Sequence, residues 1–167
     1  MNDFSNLLPT PSALIRRRDG GMLNSSVMVS RAGVELSLGA VSGDLGKLLA
    51  HCMKTCIDRQ ITGALVWDSG YFLTVLEGEP VQLHAFMDSL RTDRRFGEPR
   101  VLESVPVEGR EYQSWAVGAV RPESTPSRLI KKLQTVVPTA GEVRTHVRTS
   151  IHTGVFAETP PLVVRAA

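Results

Sequence analysis

"ITGALVWDSGYFLTVLEG", residues 61–78, reads as two strands joined by the short turn "DSG", with glycine supplying the positive φ that a tight hairpin needs. In the second strand Phe72, Thr74 and Leu76 point one way, and Leu73 and Val75 the other. Both faces are largely apolar, so each must be covered. Thr74 is the odd member, a hydroxyl in the middle of an oily face.

Working outward, a short strand at Val27–Val29 precedes "GDLGKLLAHCMKTCID". There Leu45, Leu48, Leu49, Cys52, Met53, Cys56 and Ile57 recur with the spacing of a helix that buries one face. Ser42 or Asp44 is placed to cap it. After the hairpin, "PVQLHAFMDSLRTD" predicts a second helix with Pro80 in its first turn and Leu83, Phe86, Met87 and Leu90 inward. "RVLESVPV" and "YQSWAVGAV" follow as strands. The order β-α-β-β-α-β-β predicts an α+β, ferredoxin-like sheet with two helices on one face. The C-terminal segment supplies the cover for the other face. "STPSRLIKKLQTVV" predicts a helix with Thr125 as cap, Pro126 in first position, and Leu129, Ile130 and Leu133 turned toward Leu73 and Val75. "GEVRTHVRTSIHT" has only the thin stripe Val143, Val147 and Ile151, a weaker helix. The expected organisation is a flexible leader at 1–23, a domain at 24–121, a helical extension at 122–154 and a loose tail at 155–167.

Composition narrows the function classes. The chain has 167 residues, 42% hydrophobic and 22% charged, as a globular protein does. No apolar run approaches the ~20 residues needed to span a bilayer. The N-terminal stretch is interrupted by Pro9 and Pro11 and runs into "RRR", unlike a secretory signal. The expected location is the cytoplasm, off the membrane. Net charge is +2, unevenly spread: residues 24–121 hold ten Lys/Arg against twelve Asp/Glu, residues 122–167 six against three. No DNA-binding motif accompanies the basic ends, so no direct nucleic-acid contact is expected. Cys52 and Cys56 read as packed core thiols. His51, His84, His146 and His152 are scattered, so no metal site is expected. Glu77 and Glu79 read as solvated turn residues. No nucleophile–base pair or phosphate loop emerges, and the chain is not read as an enzyme.

The hairpin, taken with "VMVSRA" before it and "MDSLRTDRRF", "RVLESVPV" and "REYQSWAVG" after it, resembles the BLUF family, blue-light sensors that use FAD. The resemblance covers about residues 26–120. It implies a flavin site between the two helices, over the inner face of the sheet. It also implies a photocycle run by a tyrosine on the first strand, an asparagine at the end of the first helix, a glutamine on the third strand, and a tryptophan and methionine on the fifth. In this sequence the tyrosine position is Met28, the asparagine Cys56, the glutamine Thr74 and the methionine Val117. Trp115 is retained, and Phe72 and Arg31 match flanking positions. Met28 has no hydroxyl, Cys56 only a weak donor, and Thr74 no amide.

The resemblance therefore implies a vestigial flavin pocket at Met28, Arg31, Cys56, Phe72, Thr74, Trp115 and Val117. The expected function is a light-independent BLUF-like regulatory or protein-interaction module with no bound cofactor. The alternatives are a flavin-binding blue-light receptor with altered photochemistry and a sensor of another small apolar ligand. A protein partner is expected, with a second copy of the chain as one option. The expected docking rim is basic: Lys131, Lys132, Arg144 and Arg148.

Overall fold

The computed structural model describes residues 21–33, 44–120, 126–153 and 155–158. Its strands are β1 (Leu23–Arg31), β2 (Thr62–Asp68), β3 (Tyr71–Gly78), β4 (Arg100–Val107), β5 (Trp115–Ala119) and β6 (Val155–Glu158). Its helices are α1 (Asp44–Asp58), α2 (Pro80–Thr92), α3 (Arg128–Leu133) and α4 (Ala140–Thr153). The strands form one sheet in the order β4-β1-β3-β2-β5-β6. The first four are the antiparallel ferredoxin-like unit; β5 adds parallel to β2, and β6 antiparallel to β5.

The hairpin is built by local chemistry. Ser69 and Gly70, both at positive φ (49° and 87°), make the two-residue turn between β2 and β3. Gly63 sits at φ 137°, and a Cβ there would lie 2.0 Å from the Val75 carbonyl oxygen. Only glycine lets β2 and β3 approach at that point.

Each face of the sheet then buries its own layer. Met28, Leu65, Phe72, Leu76, Trp115 and Val117 meet Leu48, Cys52 and Cys56 of α1 and Leu83, Phe86, Met87 and Leu90 of α2. Val27, Val29, Ala64, Val66, Leu73, Val75 and Ala116 meet Ile130 of α3 and Val143 and Val147 of α4. This is the expected α+β architecture, with α1 and α2 on one face and the C-terminal helices on the other.

Four details differ from the sequence reading. β1 runs over nine residues rather than three, because it lies between β3 and β4 and pairs with both. Its polar residues are accommodated; Ser26 Oγ, for example, shares a hydrogen bond with Ser104 Oγ at 2.8 Å. The cap of α3 is Ser127, whose Oγ accepts from the Ile130 N–H at 3.2 Å; Pro126 precedes the helix, and Thr125 and Ser42 lie outside the described residues. The main cover of the outer face is α4, not the six-residue α3. α4 starts in a capping box: Thr139 Oγ1 accepts from the Glu142 N–H, and a Glu142 carboxylate oxygen accepts from the Thr139 N–H at 2.8 Å. Finally, residues 155–158, placed in the loose tail by sequence, form β6 on the free edge of β5.

Candidate functional site: the inner face of the sheet

Strand register gathers the positions singled out by the sequence. Met28 on β1 stands opposite Thr74 on β3, Thr74 opposite Leu65 on β2, and Leu65 beside Val117 on β5. Met28, Thr74, Leu65 and Val117 therefore make one row across four strands. The neighbouring row toward the hairpin turn carries Phe72, and the row on the other side carries Trp115. Cys56, from the last helical turns of α1, closes over this surface in the same apolar cluster.

The cluster is shut off from solvent. Met28, Cys56, Phe72, Thr74, Trp115 and Val117 are all buried. The rings of Phe72 and Phe96 are 4.6 Å apart, and Phe86 meets Trp115 edge-on at 6.3 Å. Arg31 does not join the group. It lies exposed at the end of β1, one residue past Ser30, so its side chain belongs to the other face.

The polar inventory of the row is small. Burial pushes the Cys56 thiol well above its ordinary range, and Cys52 beside it adds to the shift. Burial likewise pushes Cys52 up to about 12, with the Asp93 carboxylate adding to it. Both thiols stay protonated at neutral pH and donate weakly. Thr74 Oγ1 is buried with no hydrogen-bond partner among the described residues. A flavin ring presents carbonyls and ring nitrogens, and leaving each buried and unpaired costs about 1–3 kcal/mol. A thioether, two neutral thiols, an isopropyl group and one hydroxyl do not fit that polar edge.

The basic rim expected at the C-terminal helices is mostly neutralised inside the chain. Lys132 Nζ donates to Glu142 at 2.7 Å, and the ammonium holds that carboxyl down at about 2. Arg144 donates to Glu103 Oε2 at 2.8 Å and to Ser25 Oγ at 3.0 Å. Arg148 pairs with Glu111. Arg144 and Arg148 flank the buried Val143–Val147 stripe, so they reach down to the sheet and its loops rather than out to solvent. Among the described residues, Lys131 of the four is an exposed side chain without such a bridge.

Two polar features escaped the sequence reading. Glu77, expected to be solvated, is only 2% exposed. It lies in β3 between Ser25 and Thr62, and the chain at 110–112 folds over it. Its carboxylate accepts from the Tyr112 N–H at 2.9 Å, while the Arg110 guanidinium binds its backbone carbonyl oxygen and Thr62 Oγ1. Burial raises the Glu77 carboxyl to about 7. Asp68, at the end of β2, pairs with His146 of α4 at 2.7 Å. Neither pairing has a short-range signal, since 35 and 78 residues separate the partners. Among the described residues, no group of three His, Cys, Asp or Glu side chains is placed to hold a metal ion, and no helix is long and apolar enough to cross a membrane.

A ferredoxin-like sheet with a helix pair over the face bearing this row defines the class of domain. The family model for BLUF, sensors of blue-light using FAD, matches residues 24–118. The chain belongs to the BLUF family. Among solved structures, it is similar to the BLUF protein BlrB in its dark state, at 16% identity, covering 77% of this chain and 98% of that one with a TM-score of 0.59. It is also similar to a bacterial light-regulated adenylyl cyclase, at 19% identity, 78% and 35% coverage and a TM-score of 0.54. A third is BlrP1 of Klebsiella pneumoniae, at 18% identity, 78% and 34% coverage and a TM-score of 0.52. At these identities what is shared is the fold. The chain spans about a third of the length of the cyclase and of BlrP1. Among curated proteins, none matches the chain.

Proposed function

We propose that this chain is a BLUF-family module that has given up flavin photochemistry and works independently of light, as a regulatory module that binds a protein partner. The observation that carries the reading is the row Met28–Thr74–Leu65–Val117. With Cys56 above it, this surface offers none of the side chains that the family's light chemistry uses apart from Trp115 in the next row. Phe72, Phe86, Phe96 and Trp115 pack together in the same layer. A domain so built keeps a rigid scaffold, and its information comes from what docks on it. Among the described residues Lys131 keeps an unbridged charge for a partner, whereas Arg144 and Arg148 are committed to internal carboxylates.

The rival reading, a flavin receptor with altered photochemistry, draws on family membership and on the buried hydroxyl of Thr74, which has no partner among the described residues. The absorption spectrum of purified protein, before and after incubation with excess FAD and removal of free flavin, separates the two. The proposal expects no visible flavin band and no light-induced shift. A band at one flavin per chain overturns it.

A further inference from the structure

The outer face holds a cavity of about 570 Å³, within the range of small-molecule pockets. It lies where the end of β1 and the starts of β3 and β4 meet the connection between α3 and α4. Val29, Tyr71 and Leu133 give it apolar walls. Val136 and Val137, on the connection, leave about half of their surface exposed beside it.

Arg31 and Arg100 line the same space. Tyr71 stands opposite Arg31 across β1–β3, and Arg100 opposite Val29 across β1–β4, so all four share the outer face. The backbone below is tightly fixed. Gly97, at φ 60°, lets the turn after α2 press onto β1, since a Cβ there would lie 2.4 Å from the Arg31 carbonyl oxygen. The Gly33 N–H donates to the Arg95 carbonyl oxygen at 3.0 Å. Elsewhere on this face the cations Lys132, Arg144 and Arg148 each meet a carboxylate. Among the described residues neither Arg31 nor Arg100 does, and Glu98 is the one acidic residue in the lining. Two arginines lining a pocket with one apolar wall suit a flat anionic head with an apolar body.

We propose that this cavity binds a small organic anion, a carboxylate or sulfonate held by Arg31 and Arg100 with an aryl or short alkyl body against Val29, Tyr71 and the valines of the α3–α4 connection. The site is on the face opposite the flavin positions, so it stands or falls separately from the reading above. Because its walls come from both the sheet and the α3–α4 connection, an occupant would tie the C-terminal helices to the sheet and raise the melting temperature.

The test uses 8-anilinonaphthalene-1-sulfonate as fluorescent probe and octanoate as competitor, with octanol and octyltrimethylammonium as neutral and cationic controls. Saturable probe binding is expected, displaced by octanoate and not by the controls. In the double variant Arg31→Gln/Arg100→Gln, binding should weaken about tenfold or more, the loss of a charge-assisted hydrogen bond. Both side chains are exposed, so the melting temperature without probe should not change. Lys47→Gln/Lys54→Gln, on α1 over the opposite face, should bind as the parent does. No saturable binding, equal binding by the double variant, or displacement by octanol as effective as by octanoate overturns the proposal. Displacement by a glutamate-rich peptide but not by octanoate also overturns it, and assigns the cavity to a protein partner.

Discussion

Thr74 and Glu77 sit three residues apart on β3, and both are buried polar groups, but their energetics differ. The Thr74 hydroxyl is desolvated and makes no hydrogen bond among the described residues, so it costs stability and returns nothing. Thr74→Val, which keeps the shape, should therefore raise stability by about 1 kcal/mol in urea unfolding. A loss of more than about 1 kcal/mol would mean that the hydroxyl is in use. Glu77 is buried with its carboxylate held by the Tyr112 N–H, while Arg110 is engaged with the Glu77 backbone carbonyl oxygen and Thr62 Oγ1. Its carboxyl binds a proton more tightly folded than unfolded, about 7 against 4.5. Between those values the native state carries more protons than the unfolded one, so stability falls as pH rises through that window, by up to about 3 kcal/mol. Glu77→Gln should flatten that slope, measured as the urea midpoint against pH. An unchanged slope would show that Glu77 is ionised in the folded protein across the window. Sequence placed Thr74 on the right face, because alternation fixes direction along a strand. It could not show that Glu77 is buried, because that depends on the chain at 110–112, 35 residues away from Glu77 at its Tyr112 contact.

At the scale of elements, what was legible followed periodicity. α1, α2 and the hairpin have strong apolar patterns and emerged near their observed bounds. α4 also fell near its observed bounds but read only as a weak helix, because its buried stripe is thin: Val143 and Val147, with Ser150 completing the covered side. A local signal strengthens that reading: "TAGE", residues 139–142, spells the capping box that starts the helix. β6 carries no such signal, since four residues become a strand only because the edge of β5 is there to pair with. If α4 is the cover of the outer face, emptying its stripe must hurt. Val147→Ala should cost roughly 1.5–3 kcal/mol, for two carbons removed from a fully buried site. Leu129→Ala, at a half-buried position on α3, should cost less. The reverse ranking in thermal or urea unfolding would restore α3 as the principal cover.

For the molecule as a whole, the ferredoxin-like sheet and the family were both legible in the sequence, and the family model agrees over residues 24–118. Of the seven positions that the resemblance singles out, six meet on the inner face, and Arg31 stands apart. Unreadable in advance was whether those six enclose a space or fill one. That depends on Phe86 and Phe96, which reach the layer from α2 and the turn after it. On the proposal above, this layer is a closed core where the family would place a flavin. Phe72→Ala is the sharpest probe of this, since Phe72 is buried in the layer with its ring against Phe96. Urea unfolding of the variant, without added ligand, should show a loss of about 3–5 kcal/mol, the cost of emptying a packed aromatic site. A loss below about 1 kcal/mol would mean that the ring borders open space, and would contradict the claim.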